Sequence, residues 1–427
     1  VLEANWDSNA RLWHIKTQAG KIFRTRFLIT AVGCLSSTNM PNIDGLTDFS
    51  GEVYHTGQWP HEKVDFEKKT VVIIGTGSTG IQAIPEIARQ AKKLYVLQRT
   101  PNYSVPARNG PLAKDFHSTF INEIDAWRSK MLKSRHGHPW TAPDRQVRKT
   151  APTKRQNIME AAWERGGLGF RESFDDVLVD EESNKIMSDF IRQKIVDTVH
   201  NTETAQKLLP MDHPFGTKRP PIDTNYFETF NCDHVHLIDV RENPISSFFT
   251  SGVTLSNDTQ ITADMIVFAT GFDAMTGALQ KMNLKGRGGL KLEDAWYAGP
   301  RTFLGLAVPE FPNMFTITGP GSPSVLTNMP RAIEQHVDWI TDLLSHAIQG
   351  DYVEIEASHA AANEWTQHVT DVANKTLLPK ANHSWYLGAN VPGKPRVFMP
   401  YAFGLNHYRN HCESVATKGY AGFSVTK

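Results

Sequence analysis

Short apolar runs separated by turn residues fill the first part of the chain, and apolar residues at helical spacing fill its middle. Residues 1–6, 11–17 and 21–24 alternate between apolar and polar, with turns at Asp7-Ser8-Asn9 and Ala19-Gly20, which predicts a short meander. Residues 27–33 read as an apolar strand ending in glycine, and residues 264–272 repeat that design, ending in Ala269-Thr270-Gly271. Between Pro106 and Leu209, stretches 113–133, 154–165 and 184–198 place charge opposite an apolar stripe and predict helices. Strand character returns at 234–240 and 314–318. Asn328 and Pro330 then read as the cap and first turn of an amphipathic helix through Ile333, Val337, Ile340 and Leu344.

One junction in this pattern carries chemistry. The β-branched run 71–74 leads directly into Gly75-Thr76-Gly77-Ser78-Thr79-Gly80, and a helical stretch containing Gln82 follows. Strand, glycine turn and helix N-terminus, in that order, suit a dinucleotide pyrophosphate: the glycines allow the turn, the backbone's approach to phosphate and close helix packing. The next strand, 93–98, ends in Arg99-Thr100. Roughly 20 residues past the glycines, an NAD site would carry Asp or Glu for the ribose diol. A cation there suits a 2′-phosphate and predicts NADPH; the alternative is a surface arginine that ends a strand. Pro85, inside the same helix, should remove a hydrogen bond or introduce a bend.

The chain's 427 residues are enough for two or three domains, and 45 basic residues balance 45 acidic ones, so neither a nucleic-acid stripe nor a polybasic membrane patch is expected. Its apolar runs are too short to span a bilayer. Cys34, Cys232 and Cys412 lie far apart and form no CxxC, which argues for a reducing, cytoplasmic setting and against a disulfide reductase. No metal site and no protein partner are expected.

Immediately before the glycine loop stands Phe49-Ser50-Gly51-Glu52-Val53-Tyr54-His55-Thr56-Gly57-Gln58-Trp59-Pro60. This FxGxxxHxxxW pattern followed by Pro resembles the fingerprint of type I Baeyer–Villiger monooxygenases. The resemblance continues through GTGSTGIQ, QRTPNYSVPARN, HPFGTKRP, ATGFD, GPGSPS and WYLGANVPGKPRVF, and is closest to the phenylacetone and steroid monooxygenase branch. It implies an α/β fold with two dinucleotide-binding domains, Rossmann-like for FAD and for NADPH, and a helical insertion. It also implies a reaction in which NADPH reduces the flavin and a C4a-peroxyflavin attacks a ketone, inserting one oxygen of O2 to give an ester or lactone.

By the same resemblance, Arg219 is the catalytic cation that stabilises the two anions of that chemistry. Lys218 joins Arg99 and Thr100 at the 2′-phosphate, and Trp385 contacts NADPH. Met329 makes a backbone contact to FAD, and Ser324, Val325 and Leu326 shape the ketone pocket. Phe49, Gly51, His55 and Trp59 form the fingerprint linker, in which His55 and Trp59 govern domain rotation and NADPH positioning. The implied domains are 1–33 (FAD remnant), 34–103 (NADPH, with linker 49–60), 104–214 (helical insertion), 215–262 (NADPH continued) and 263–427 (C-terminal FAD part). The family's own FAD glycine loop does not precede Lys68, so a first FAD half-domain, on the order of a hundred residues, is expected to be missing. The alternatives are a non-catalytic NADPH-binding fragment and a flavin-containing monooxygenase-type N- or S-hydroxylase, the latter disfavoured by Trp59.

Overall fold

The β-branched runs around the glycine loop pair into one all-parallel sheet. Its strand order is Val235–Asp239, Lys93–Gln98, Thr70–Ile74, Met265–Phe268 and Glu52–His55. Alternation along each strand feeds two cores. Val71, Ile73, Leu94, Val96, Met265 and Val267 meet a helical layer, whereas Val72, Ile74, Leu97, Ile266 and Phe268 meet the antiparallel meander of Ile245–Phe249, Gly252–Leu255 and Gln260–Thr262. Both faces are covered, as a parallel sheet requires.

This computed structural model describes residues 1–140 and 143–427 and separates into two units. The sheet belongs to the unit formed by 38–111 and 142–272; the second unit is 1–37, 112–141 and 273–427. In the second unit the expected meander forms as Glu3–Asp7, Leu12–Lys16 and Ile22–Thr25, extended by a parallel pairing with Leu284–Lys285. Leu28–Thr30 pairs in parallel with Met314–Thr316. Helices Met329–Gln349, His359–Asn374 and Leu405–Thr417 close a core around Trp339, Trp365 and Tyr408.

Three details of the structure refine the expectations. The strand Met265–Phe268 does not open the C-terminal segment assigned from 263. It lies inside the parallel sheet, between Thr70–Ile74 and Glu52–His55, and the chain changes unit after Phe272. Four consecutive buried residues read alike in any parallel sheet, and only the hydrogen-bonding partners assign them. Nor is 104–214 one insertion. Phe116–Asn122 and Ile124–Lys133 belong to the second unit, while Pro152–Arg165, Glu181–Thr198 and Thr202–Leu208 belong to the first. Residues 141 and 142 of that stretch lie outside the described residues. Asn328 and Pro330 stand, as expected, at the N-cap and first turn of helix Met329–Gln349; Asn328 makes no side-chain capping bond, and its backbone N–H donates to His136 O at 2.8 Å.

Pro85 is accommodated within helix Ser78–Ala88. Its missing N–H leaves the Ile81 carbonyl without its usual helical donor, while the turn beyond persists because Arg89 N donates to Pro85 O at 3.2 Å. The helix lies tight against the glycine turn: a Cβ on Gly80 would stand 2.2 Å from Gly75 O, and one on Gly75 (φ +110°) 2.5 Å from Ala269 O. Both contacts are to backbone, which cannot rotate away. Gly80→Ala should therefore lower stability by about 1–3 kcal/mol, the usual cost of overpacking, read as a lower urea midpoint with an unchanged m-value.

Candidate active site

The glycine loop is anchored to the end of the next strand. Gly75 N donates to Leu97 O at 3.0 Å, and the Thr76 hydroxyl donates to Thr100 O at 3.0 Å. Those two bonds bring Arg99 and Thr100 to the mouth of the turn. Unlike its neighbours, Gly77 faces open space: a Cβ there would meet nothing within 4 Å. Gly77, Ser78 and Thr79 are exposed at the helix N-terminus, and Gln82, one turn on, donates to Ile222 O at 3.1 Å. The turn thus leaves a cradle that backbone N–H groups and the helix dipole make receptive to an anion.

Lys218 joins Arg99 from a distant part of the sequence. Burial pushes its ammonium below the ordinary lysine value, Asp212 opposes that shift, and the nearby Arg99 guanidinium adds to it. Arg219, the next residue, is exposed, and no described residue hydrogen-bonds or ion-pairs with it. The loop that carries these cations is fixed at several points. Arg192 donates to Pro210 O through Nε and Nη2, each at 3.0 Å; Phe215 N donates to Asn184 Oδ1 at 3.0 Å; and the Thr217 hydroxyl donates to Pro214 O at 2.7 Å.

The fingerprint residues do structural work in the same unit. Phe49 is buried beneath the sheet, and a Cβ on Gly51 would collide with Asp264 O at 2.4 Å and with the Phe49 ring. His55 accepts a hydrogen bond at Nδ1 from Gly57 N at 3.0 Å, and its Nε2 lies 3.3 Å from the Thr270 hydroxyl. That hydroxyl donates to Asn39 O at 2.7 Å, and Asn39 N donates to Gly271 O at 2.9 Å. His55 therefore pins together two chain segments, around 39 and 270, each only a few residues from where the chain changes unit. Burial lowers its pKa, which favours the neutral ring that these bonds require. Trp59 instead stacks on Phe66 and packs against Tyr54.

Ser324, Val325, Leu326, Met329 and Trp385 lie in the second unit. Ser324 is fully buried with φ +44°, and its hydroxyl contacts Met275 Sδ at 3.7 Å. Val325 is buried and Leu326 half-buried in the same single turn. Met329 opens the helix whose first N–H groups lack a side-chain cap, so donors remain for an anionic ring edge. Trp385 is half-buried at the start of a single turn capped by Ser384, with its ring against Tyr386 at 4.6 Å.

No family model matches the chain. It is 39% identical to the cyclohexanone 1,2-monooxygenase of Acinetobacter sp, over all of this chain and 78% of that protein. It is 38% identical to a Baeyer–Villiger monooxygenase of Pseudooceanicola batsensis, over 98% of this chain and 76% of that one. The chain belongs to the Baeyer–Villiger monooxygenase family. A phenazine N-monooxygenase of Lysobacter antibioticus is also a relative, 36% identical over 98% of this chain and 77% of that protein. The solved structure of OTEMO in complex with FAD and NADP matches with a TM-score of 0.95 at 36% identity, covering all of this chain and 80% of that one. In this Baeyer–Villiger monooxygenase no described helix is long and apolar enough to cross a membrane, and no described group of three or more His, Cys, Asp or Glu could hold a metal. The three cysteines are free.

Sequence reading missed Asp212 and His213, whose side chains meet at 2.7 Å beside Lys218. A carboxylate and an imidazole a few residues before a Lys-Arg pair was the available signal. It also missed His336, which is fully buried and accepts from Thr318 N at Nδ1 (3.1 Å), holding the positive-φ turn that leads into Gly319-Pro320-Gly321. Burial alone lowers the His336 pKa to about 3. Because the folded value lies below the ordinary value of 6.5, the unfolded chain binds the extra proton. Stability from this residue is intact above about pH 6.5 and declines as pH falls toward 3, by at most about 1.4 kcal/mol per pH unit. His336→Asn retains an acceptor for Thr318 N–H but cannot titrate, so its unfolding free energy should fall less steeply than the wild type's between pH 6.5 and 4.

Proposed function

We propose that this enzyme uses NADPH and FAD to insert one oxygen atom of O2 beside a small-molecule ketone carbonyl, giving an ester or lactone. The observation that carries the reading is Arg219: an exposed guanidinium without a counter-charge among the described residues, directly following Lys218, on which the Arg99 guanidinium acts. When bound, FAD supplies the oxygen chemistry and NADPH the reducing equivalents.

The chain's own residues divide the remaining work. The turn 75–80 receives the NADPH pyrophosphate, with Gly77 open to its approach. Arg99, Thr100 and Lys218 take the 2′-phosphate. Met329 and the uncapped helix start supply backbone donors to FAD, Trp385 contacts NADPH, and Ser324, Val325 and Leu326 bound the ketone. Arg219 holds the negative charge that develops on oxygen. A guanidinium suits that task because it stays protonated and offers several donors in a fixed plane. His55 and Trp59 act away from the chemistry, through the segments they pack.

A second reading, a nucleotide binder without turnover, is supported by the single GxGxxG loop among these 427 residues. Titrating the purified chain with FAD and with NADPH separates the two: tight flavin binding and ester production support the first reading, and NADPH binding alone supports the second. Product analysis with a ketone and a thioether distinguishes oxygen insertion from heteroatom oxidation.

Arg219→Ala should retain flavin reduction by NADPH but lose ester formation by about 10²–10³-fold, the scale of a removed oxyanion donor; ketone oxidation at the wild-type rate would refute the role. Arg99→Ala should erase most of the preference for NADPH over NADH, read as the ratio of KM values. Gly77→Ala should leave the melting temperature nearly unchanged, since its Cβ meets nothing, while raising the KM for both cofactors together.

A further inference from the structure

Asp223 is a buried carboxylate that no step described above uses, and both of its oxygens are hydrogen-bonded. Oδ2 accepts from the Ser104 hydroxyl at 2.6 Å and Oδ1 from Tyr226 N at 3.2 Å; Ser104 has no exposed surface, and Asp223 is 8% exposed. The backbone beside it is paired as well. Ile222–Asp223 runs parallel to Val105–Pro106; Val105 N donates to Pro221 O at 3.0 Å and Ala107 N to Asp223 O at 2.8 Å. The carbonyl between those two, Ile222 O, faces the opposite edge, as the alternation of carbonyls along a strand requires. There it accepts the Gln82 side-chain amide at 3.1 Å. Residues 221–223 are thus clamped from both edges: by segment 104–107 on one side, and on the other by helix Ser78–Ala88, whose N-terminus forms the glycine-turn cradle.

Arg219 hangs directly from this clamp. Two buried prolines, Pro220 and Pro221, join it to Ile222. Each proline fixes its own φ and holds the residue before it in extended backbone, so the link has little slack. On the other side of Arg219, Thr217 is buried, and its N–H and its hydroxyl both donate to Pro214 O, at 3.3 and 2.7 Å. The chain is therefore held before and after Arg219 while the side chain itself stays exposed and unpaired among the described residues. A surface arginine needs no such support, whereas a cation that must meet a developing charge at a fixed point does.

We propose that Gln82, Ser104 and Asp223 are positioning residues for Arg219: by clamping strand 221–223 against the helix of the glycine turn, they make the pyrophosphate cradle and the Arg219 backbone one rigid body. This rests on the reading of Arg219 as the charge-stabilising cation. It also gives Gln82 a task apart from contact with NADPH, since its amide nitrogen is engaged by Ile222 O.

A nitroxide label at position 219 reads the clamp directly, without flavin. Cys34 and Cys412 are buried and Cys232 is exposed, so Cys232→Ser combined with Arg219→Cys leaves one accessible thiol for the label. Its electron paramagnetic resonance spectrum, sensitive to loop motion on the nanosecond scale, should show restricted motion. Adding Gln82→Glu, which cannot donate to a carbonyl at neutral pH, or Ser104→Ala should sharpen the lines. Gln82 is exposed and Glu has its shape, so that variant keeps the fold even where Ser104→Ala does not. With Arg219 in place and FAD bound, both substitutions should lower the ester formed per NADPH consumed by roughly 10- to 100-fold, the scale of a misplaced catalytic group. The remaining NADPH, O2 and a proton then yield NADP+ and hydrogen peroxide, while the rate of flavin reduction and the KM for NADPH stay unchanged. Spectra that neither substitution sharpens, or sharpened spectra with an unchanged ester yield, overturn the proposal and leave the reading of Arg219 standing. A raised KM for NADPH with the ester yield intact marks Gln82 as a cofactor contact and overturns its positioning role. Ester formation by Arg219→Ala at the wild-type rate overturns the reading of Arg219 and the proposal with it.

Discussion

The nucleotide-binding unit depends on a backbone-to-backbone approach that only glycine permits. Helix Ser78–Ala88 lies so near the preceding turn that Gly80 has no room for a methyl group beside Gly75 O, and Gly75 in turn rests against Ala269 O. Strand, turn, helix and the neighbouring strand Met265–Phe268 are therefore locked at one spacing. From that spacing follows the position of Thr76, its bond to Thr100, and the presentation of Arg99 at the end of the adjoining strand. The charge of Lys218, more than a hundred residues later, is felt alongside that of Arg99.

What could be read in advance follows from how local each signal is. The glycine loop, the strand Lys93–Gln98 and the early meander were legible because turn residues and period-2 alternation act over a few residues. The partition of the chain was not. Phe116–Asn122 and Pro152–Arg165 carry similar polar-faced patterns yet join different units, because the choice is made by long-range packing partners. Among the proposed site residues, Arg99 is suggested by spacing, whereas the roles proposed for Lys218 and Arg219 come only from resemblance. His213 and His336 escaped because nothing local distinguishes a buried histidine from an exposed one; Asp212 offered only its place before the Lys-Arg pair. Asn328 was legible as the N-cap, although its side chain makes no capping bond and its backbone N–H donates to His136 O.

The fingerprint is explained more by geometry than by chemistry. Phe49 fills the core, Gly51 lets neighbouring strands meet, and His55 ties the segment at Asn39 to the one at Thr270. A motif defined by its sequence spacing thus acts where two chain crossings run side by side, with Thr38 and Phe272 in an antiparallel bridge. A neutral histidine suits that place because it accepts at one nitrogen while its other faces a hydroxyl.

The interleaving of the chain has a kinetic consequence. Leu28–Thr30 finds its strand partner only at Met314–Thr316, and Glu354–Ala357 waits for Phe423–Thr426 at the very end of these residues. During synthesis Leu28–Thr30 must therefore emerge long before its partner Met314–Thr316, while the entire Rossmann unit is made behind it. Such distant pairings make folding slow and leave sticky intermediates exposed. The rate at which this polypeptide reaches its native state, and its dependence on chaperones while nascent, should be set by that delayed closure and not by the fast local helices.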